Sequence, residues 1–257
     1  MLTFYKYQGT GNDFVMIDNR QDIISKNDTK KIQFLCNRKF GVGADGLILL
    51  EKSDSVDFKM VYFNADGNES TMCGNGGRCL VAFANMLGVV KNETTFEAID
   101  GLHYATINKD RVSLQMQNVT RIENKDGAYF LDTGSPHHVT VVDNVAGLDV
   151  YKEGKRIRND VYGNEGSNVN FVEQLEENTF KIRTYERGVE DETLSCGTGA
   201  TAVAIAMHKS GMTKSDTVVI KVEGGELQIS FKNLNNVYND VFLIGKAVQV
   251  FKGEILW

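Results

Sequence analysis

Proline is nearly missing. Pro136 is the only one in 257 residues, so a Pro-rich linker is excluded, and no low-complexity segment breaks the chain. Cysteine and histidine are sparse, with four of each. Cys36, Cys73, Cys79 and Cys196 form no CxxC pair, and no His or Cys pair stands at zinc-finger spacing. A metal site therefore has no support. Positive charge is also scarce. The formal net charge is -6, and without a basic block or Arg-rich stripe a nucleic-acid surface is not expected. Long apolar runs are missing too. The longest, "CLVAFANMLGVV" at 79–90, is too short to span a bilayer. The opening "MLTFYKYQGTGNDF" lacks the basic and apolar regions of a signal peptide. The expected location is the cytoplasm, where the four cysteines would be reduced thiols.

What remains is ordinary for a globular protein: 42% apolar and 24% charged residues. The length suits one large domain or two of modest size. Glycine is plentiful, with 25 copies, and two glycine-rich words stand out. "MCGNGGRC" covers 72–79, and "SCGTGA" covers 195–200. With these words in register, Cys73 meets Cys196 at an offset of 123. At that offset Gly74 meets Gly197, Gly76 meets Gly199 and Gly88 meets Gly211. Upstream, Glu69 meets Glu192, Tyr62 meets Tyr185, Thr10 meets Thr133 and Gly11 meets Gly134. Gly101 meets Gly224, so the register holds over roughly ninety residues without a gap. Chance explains single glycine matches but not a shared E-[ST]-x-x-C-G-x-G word with distant matches in register.

Two related halves follow, 1–122 and 123–257. In the first, "LTFYKY", "FVMID", "GLILLE", "FKMVYF", "TTFEAI" and "RVSLQM" read as strands. In the second, "HHVTVV", "VNFVEQL", "TFKIRTY", "TVVIKV" and "ELQISF" do so. Each half holds one strong helix, near 74–87 and 197–210, apolar nearly all round and so expected to be buried. Gly88 and Gly211 suit the left-handed residue that ends a helix. A lesser helix is expected at 28–38. Many strands around one buried helix per half is an α+β fold. Such halves commonly pack about a pseudo-two-fold axis, which would bring Cys73 and Cys196 together from opposite sides of a ligand site.

A helix start presents unpaired N–H groups and a partial positive charge. There a thiol is shifted toward thiolate, and bare glycines let a carboxylate approach. Two facing helix starts would grip one carboxylate with a sulfur on each face of its α-carbon. That suits inversion, in which one group removes a proton and another delivers one from the opposite side. A free cysteine is more often a small buried hydrophobe. This plainer reading is adopted for Cys36 and Cys79, while the symmetric pair Cys73 and Cys196 is read as catalytic.

At these words the chain resembles the diaminopimelate epimerase family along essentially its full length. The resemblance rests on "GTGNDFVMID", "GVGADGLI", "FNADGNESTMCGNGGRC", "GSPHHV", "GSNVNFV" and "YERGVEDETLSCGTGA". It implies two barrel-like mixed sheets, each around a central helix. It implies an isomerase that needs no cofactor and interconverts LL- and meso-2,6-diaminopimelate for lysine and peptidoglycan precursors. By matching motifs, Cys73 and Cys196 would be the acid/base pair. Gly74, Asn75, Gly197 and Thr198 would hold the reacting carboxylate. Asn12, Asn64, Asn168, Glu186 and Arg187 would hold the distal end of the substrate. His137 and Glu186 would tune the thiols. The resemblance also implies a homodimer, with Phe251 where an aromatic near the C-terminus joins the subunits. His103, His138 and His208 carry no motif support.

The chain departs from the family pattern at Ser135, where asparagine is common, and at Gly46, where glutamine is common. "ERGVEDET" is one residue longer than usual. "QGTGNDF" contains GxG, but strand-like "FVMID" follows where a dinucleotide loop needs a helix. Two other readings use the same thiols. One is a proline-racemase-like epimerase, which typically has His where Asn75 stands. The other is a redox-sensing protein with a reversible Cys73–Cys196 disulfide.

Overall fold

Alternation in "LTFYKYQG" turns Leu2, Phe4 and Lys6 inward and makes β1 (Leu2–Gly9). The computed structural model describes residues 1–256. Thr10 and Gly11 are both left-handed, with φ of 52° and 86°, and they close a two-residue turn to β2 (Asn12–Asp18), antiparallel to β1. Helix α1 (Thr29–Cys36) starts at Asp28, whose side chain accepts from the Lys31 N–H. It leads to β3 (Gly46–Glu51), parallel to β2. Next come β4 (Phe58–Asn64), the short β5 (Glu69–Ser70), α2 (Gly74–Met86), β6 (Glu93–Ala98), β7 (Gly101–Asn108) and β8 (Arg111–Gln115).

The second set begins with β9 (Ile122–Lys125), β10 (Ala128–Asp132) and β11 (Pro136–Val141). It continues through α3 (Val150–Asp160), β12 (Asn168–Glu176), β13 (Thr179–Glu186), β14 (Asp191–Thr193) and α4 (Gly197–Ser210). It ends with β15 (Thr217–Val222), β16 (Gly225–Leu234) and β17 (Val237–Lys246), and β18 (Val248–Ile255) closes the chain.

Two units emerge, each with the same wiring. In the first, the sheet runs β18–β1–β2–β3–β4–β6–β7. In the second, it runs β9–β10–β11–β12–β13–β15–β16. The parallel steps fall at matching places, β2–β3 and β4–β6 in one unit, β11–β12 and β13–β15 in the other. This is a mixed α+β fold of two repeated halves. The first unit comprises Met1–Leu114 and the segment from Gly245, and the second is Gln115–Ile244. The halves expected from sequence, 1–122 and 123–257, place the boundary a few residues later and leave the final strand with the second half. The reason is strand supply. The outer edge of β10 is taken by β9, the strand just before it, whereas the matching edge of β1 is taken by a strand from far along the chain. β18 pairs there, from Leu2↔Ile255 to Gln8↔Val248.

In the first unit β1, β2, β3, β7 and β18 all contact α2, so the sheet curves around a central helix. Ten of its thirteen residues are buried, which makes α2 core rather than surface. On the outer face, α1 covers a second cluster that includes Val15, Ile17, Ile32, Leu35, Leu47 and Leu49. With helices on both faces, every residue of β3 is buried. The second unit repeats this. α4 is ringed by β10, β11, β12, β15 and β16, and α3 lies outside over Val169, Phe171 and Tyr185. Gly88 and Gly211 are left-handed, with φ of 73° and 81°, at the ends of α2 and α4. Helix α3 was not expected from the sequence. Its Gly154 looks like a breaker, yet a Cβ there would lie 2.3 Å from Tyr185 Cβ. Glycine is what lets α3 reach the sheet. Among the described residues no helix is long and apolar enough to cross a membrane.

Candidate active site

Cys73 is the N-cap of α2, with extended backbone (φ -94°, ψ 130°). It is only partly buried, whereas Cys36 and Cys79 are buried. Burial pushes the Cys36 and Cys79 thiols up to about 12, so both are packing thiols. Gly74 and Asn75 form the first turn that follows Cys73. Gly76 and Gly77 serve a different purpose from exposing N–H groups. A Cβ at Gly76 would sit 2.9 Å from Ile48 Cδ1, and one at Gly77 3.0 Å from Met72 Sδ. They let the helix start sit close to its surroundings.

The Cys73 Sγ donates to Asn12 Oδ1 at 3.6 Å. Asn12 is held in that orientation because its Nδ2 donates to Asp45 Oδ2 at 2.6 Å. Asp45 in turn accepts from Arg38, which also pairs with Asp13. Burial pushes the Asp13 carboxyl up, but hydrogen bonds from Arg38 and Lys6 prevail and hold it well below the usual carboxylate range. Asn64 is exposed at the end of β4, opposite Gly46 in the β3–β4 register, where its backbone closes the turn to Asn68. At Gly46 a Cβ would lie 2.5 Å from Phe63 O and from the Tyr62 ring. The Tyr62 ring occupies the room that a longer side chain would need.

In the second unit Cys196 is the N-cap of α4, and its Sγ accepts from the Gly199 N–H at 3.4 Å. Gly197 is the first residue of the helix. The Thr198 hydroxyl lies 3.4 Å from the same sulfur. Behind it stands a directed chain of hydrogen bonds. Asn170 Nδ2 donates to His138 O and, at 3.1 Å, to His137 Nδ1. His137 therefore carries its proton on Nε2 and donates to Ser135 Oγ at 3.1 Å. Asn168 Nδ2 also donates to Ser135 Oγ at 3.0 Å. With both lone pairs occupied, Ser135 gives its own proton to Thr198 Oγ1 at 3.3 Å. Thr198 is left to donate to the Cys196 sulfur. Burial, reinforced by the Arg187 cation, pushes His137 down to about 3, so it stays the neutral donor that the chain requires.

Asn168 also anchors the distal residues. Its Oδ1 accepts from the Arg187 N–H at 2.9 Å. The Arg187 side chain is exposed, and its Nη1 donates to Glu165 O at 3.0 Å. Burial pushes the Glu186 carboxyl up, partly offset by a bond from Thr193 Oγ1 at 2.9 Å. The expected residues thus fall into two sets. Asn12, Cys73, Gly74 and Asn75 gather at the start of α2, with Asn64 at a nearby strand end. His137, Asn168, Glu186, Arg187, Cys196, Gly197 and Thr198 gather around the start of α4. Sequence reading missed Asn170, Asp45, Thr10 and Arg78. Only Arg78 left a signal there, a charged residue three positions after Asn75 in an apolar helix. Among the described residues no group of three or more His, Cys, Asp or Glu is placed to hold a metal ion.

The relay makes a measurable claim. A hydrogen bond to a charged group contributes about 1.5–3 kcal/mol, which is roughly one to two pH units. Thr198→Val is expected to raise the pH midpoint for alkylation of Cys196 by about that much. Thr198→Ser should keep it. An unmoved midpoint in the valine variant would show that the hydroxyl does not support the sulfur.

Comparison with known proteins agrees with the two-unit reading. The family model described as diaminopimelate epimerase matches residues 4–122 and 129–250. A protein of Flavobacterium psychrophilum named diaminopimelate epimerase is 60% identical over 256 residues, covering 99% of this chain and 100% of its own. Among solved structures, a phenazine biosynthesis protein of the PhzF family from Bacillus anthracis superposes with a TM-score of 0.78 at 14% identity, covering 100% of this chain and 99% of its own. A probable proline racemase from Agrobacterium radiobacter K84 gives 0.69 at 13% identity, covering 100% and 93%. These two likenesses speak to the fold alone.

Proposed function

The chain belongs to the diaminopimelate epimerase family, and on that premise we propose that it interconverts LL- and meso-2,6-diaminopimelate without a cofactor, using Cys73 and Cys196 as acid and base. The observation that carries this reading is that each thiol is the N-cap of its unit's central helix. One sulfur, as thiolate, takes the α-proton. The other, as thiol, delivers its proton to the opposite face of the same carbon, and the configuration inverts. The reverse reaction exchanges their roles. Charge building on the substrate carboxylate is met by backbone N–H groups at the helix starts, with Gly74, Asn75, Gly197 and Thr198 around it. The reaction needs one thiol on each face of the α-carbon, one to take the proton and one to deliver it.

The distal ammonium and carboxylate fall to Asn12, Asn64, Asn168, Glu186 and Arg187. Arg187 offers a bidentate fork to a carboxylate, and Glu186 an acceptor to an ammonium. His137 and Glu186 tune the thiols, His137 by way of Ser135 and Thr198. The product would feed lysine and peptidoglycan precursor synthesis, and the expected location is the cytoplasm. A homodimer through β18 fits the exposed row of Val248, Val250 and Phe251. Sedimentation of a Phe251→Asp variant reads that directly, since an unchanged mass would remove this surface from consideration.

Incubation with LL-diaminopimelate in D2O without added cofactor tests the central claim. Meso product carrying deuterium at the α-carbon is the expected result. Exchange into proline with none into diaminopimelate would move the assignment to a proline-type epimerase.

A further inference from the structure

Arg78 is the largest of the fully buried side chains, at 0% exposure, and it lies in the second turn of α2. A guanidinium out of water normally sits on a carboxylate. This one does not. Its Nη1 donates to Gly74 O at 3.3 Å. Its Nη2 donates to Thr10 Oγ1 and to Asn75 Oδ1, both at 2.9 Å. All three acceptors are neutral, and Nε has no partner. The β1–β2 turn presses on this group. A Cβ at Gly9 would meet Cys79 Sγ at 3.2 Å and Arg78 Nη2 at 3.4 Å, and Thr10 is held left-handed at φ 52° to reach it.

The surrounding elements leave that charge uncompensated. On β1, Lys6 pairs with Asp13 of β2, and burial pushes Tyr7 up to about 12. On β3, Glu51 pairs with Lys26. On β7, His103 pairs with Asp100 and Tyr104 bonds Glu93. On β18, Lys252 lies over the Tyr5 ring and Glu254 is exposed, and on β2 Asp18 pairs with Arg20. Through its bonds to Gly74 O and Asn75 Oδ1 the guanidinium lies under the two residues that follow Cys73, and Cys79 is its neighbour in the helix. Cys79 is sealed in the core and stays protonated. The sulfur left to answer the charge is Cys73, at the start of the same helix.

We propose that Arg78 is a positioning residue for the reaction above: its uncompensated guanidinium, beneath the first turn of α2, favours the thiolate when Cys73, which as thiol donates to Asn12 Oδ1, gives up its proton, and it fixes the Asn75 and Thr10 side chains. This rests on the assignment of Cys73 to the acid/base pair, so the test reads Cys73 without substrate. Alkylation by iodoacetamide, followed on the Cys73 peptide by mass spectrometry across pH, gives the midpoint of its thiolate. Thr10→Asp places a carboxylate on the guanidinium without touching Arg78, and aspartate tolerates a left-handed backbone. It should raise the midpoint by at least one unit, so that below both midpoints Cys73 reacts about ten-fold more slowly. Thr10→Asn has the same shape without the charge and should leave the midpoint in place, as should Arg78→Lys. Arg78→Gln removes the cation but keeps a hydrogen-bonding end, and it should raise the midpoint as Thr10→Asp does. Equal midpoints in the Asp and Asn variants, or an unmoved midpoint in Arg78→Gln, would overturn the proposal and leave Arg78 a packing residue. If the midpoint moves but diaminopimelate shows no deuterium exchange, the electrostatic role stands and the assigned reaction fails.

Discussion

Alanine at either Cys73 or Cys196 is expected to lower interconversion of diaminopimelate isomers by about a thousand-fold or more, since a positioned acid or base contributes about 10²–10⁴. The two losses should be similar, because inversion needs both a proton acceptor and a donor on opposite faces. Exchange without inversion should behave differently. A single remaining thiolate can remove the α-proton on its own face and return deuterium to that face. Each variant should therefore keep slow exchange with one isomer and lose it with the other, and the two variants should prefer opposite isomers. Measuring both isomers with both variants in D2O reads this split. Interconversion within ten-fold of the unmodified protein in either variant would remove that thiol from the pair. The Cys73 change should not unfold the chain, whereas Cys196→Ala also removes the cap that its sulfur gives the Gly199 N–H, so its fold is checked by thermal denaturation. Cys73 is only partly buried, and its side chain makes no cap hydrogen bond to α2.

The second large effect contrasts repeat mates. Gly76 and Gly199 occupy matching places in α2 and α4, and alanine at either gains up to about 1 kcal/mol of helix propensity. At Gly76 the new methyl meets the flexible end of Ile48, at 2.9 Å. That end can shift, so Gly76→Ala should be close to neutral. At Gly199 the methyl meets Asn170 Oδ1 at 2.5 Å and Cys196 Sγ at 3.3 Å. Asn170 is fully buried and holds Thr184, His137 and His138 O, so it has no room to retreat. Overpacking of this kind costs about 1–3 kcal/mol, which exceeds the helix gain. Each net kcal/mol lowers Tm by roughly 2–4 °C in a chain of this size. Turnover should fall at least about ten-fold as well, because moving Asn170 unsettles the tautomer that starts the relay to Cys196. Thermal denaturation and turnover of the two alanine variants, side by side, test the contrast. Equal melting temperatures would contradict it.

The expected helices at 74–87 and 197–210 correspond to α2 and α4 to within a residue or so at each end, because an all-round apolar pattern between a glycine-rich start and a left-handed glycine has few alternatives. The helix at 150–160 escaped for a local reason. "VYKEGKRIRND" is polar and contains Gly154, which counts against a helix until Tyr185 is seen pressed against it. The repeat held the clue, since α1 shifted by 123 falls within α3. Strands β7, β10, β17 and β18 were also passed over, as were the short β5, β9 and β14. Two of their turns do carry an Asp-Gly signal, Asp100-Gly101 at the start of β7 and Asp126-Gly127 before β10, while the turns at Lys109 and at Asn235 and Asn236 reach positive φ without a glycine. Histidine 137 was read as a residue that tunes a thiol. Its route through Ser135 and Thr198 depends on side chains from β11, β12 and α4 meeting, and local sequence does not encode that.

The sequence by itself determined the duplication, the α+β class, the two helix starts and which two of four cysteines stand at them. These features depend on periodicity and on residue types at fixed spacing, and both survive in one dimension. Only the tertiary structure decided that β18 completes the first sheet, that Gly199 must stay small for packing where its repeat mate Gly76 need not, and that Arg78 lies buried without a carboxylate. Those outcomes depend on distances between residues far apart in the chain. Steric fit and desolvation act through such distances, and no pattern of neighbours along the chain records them.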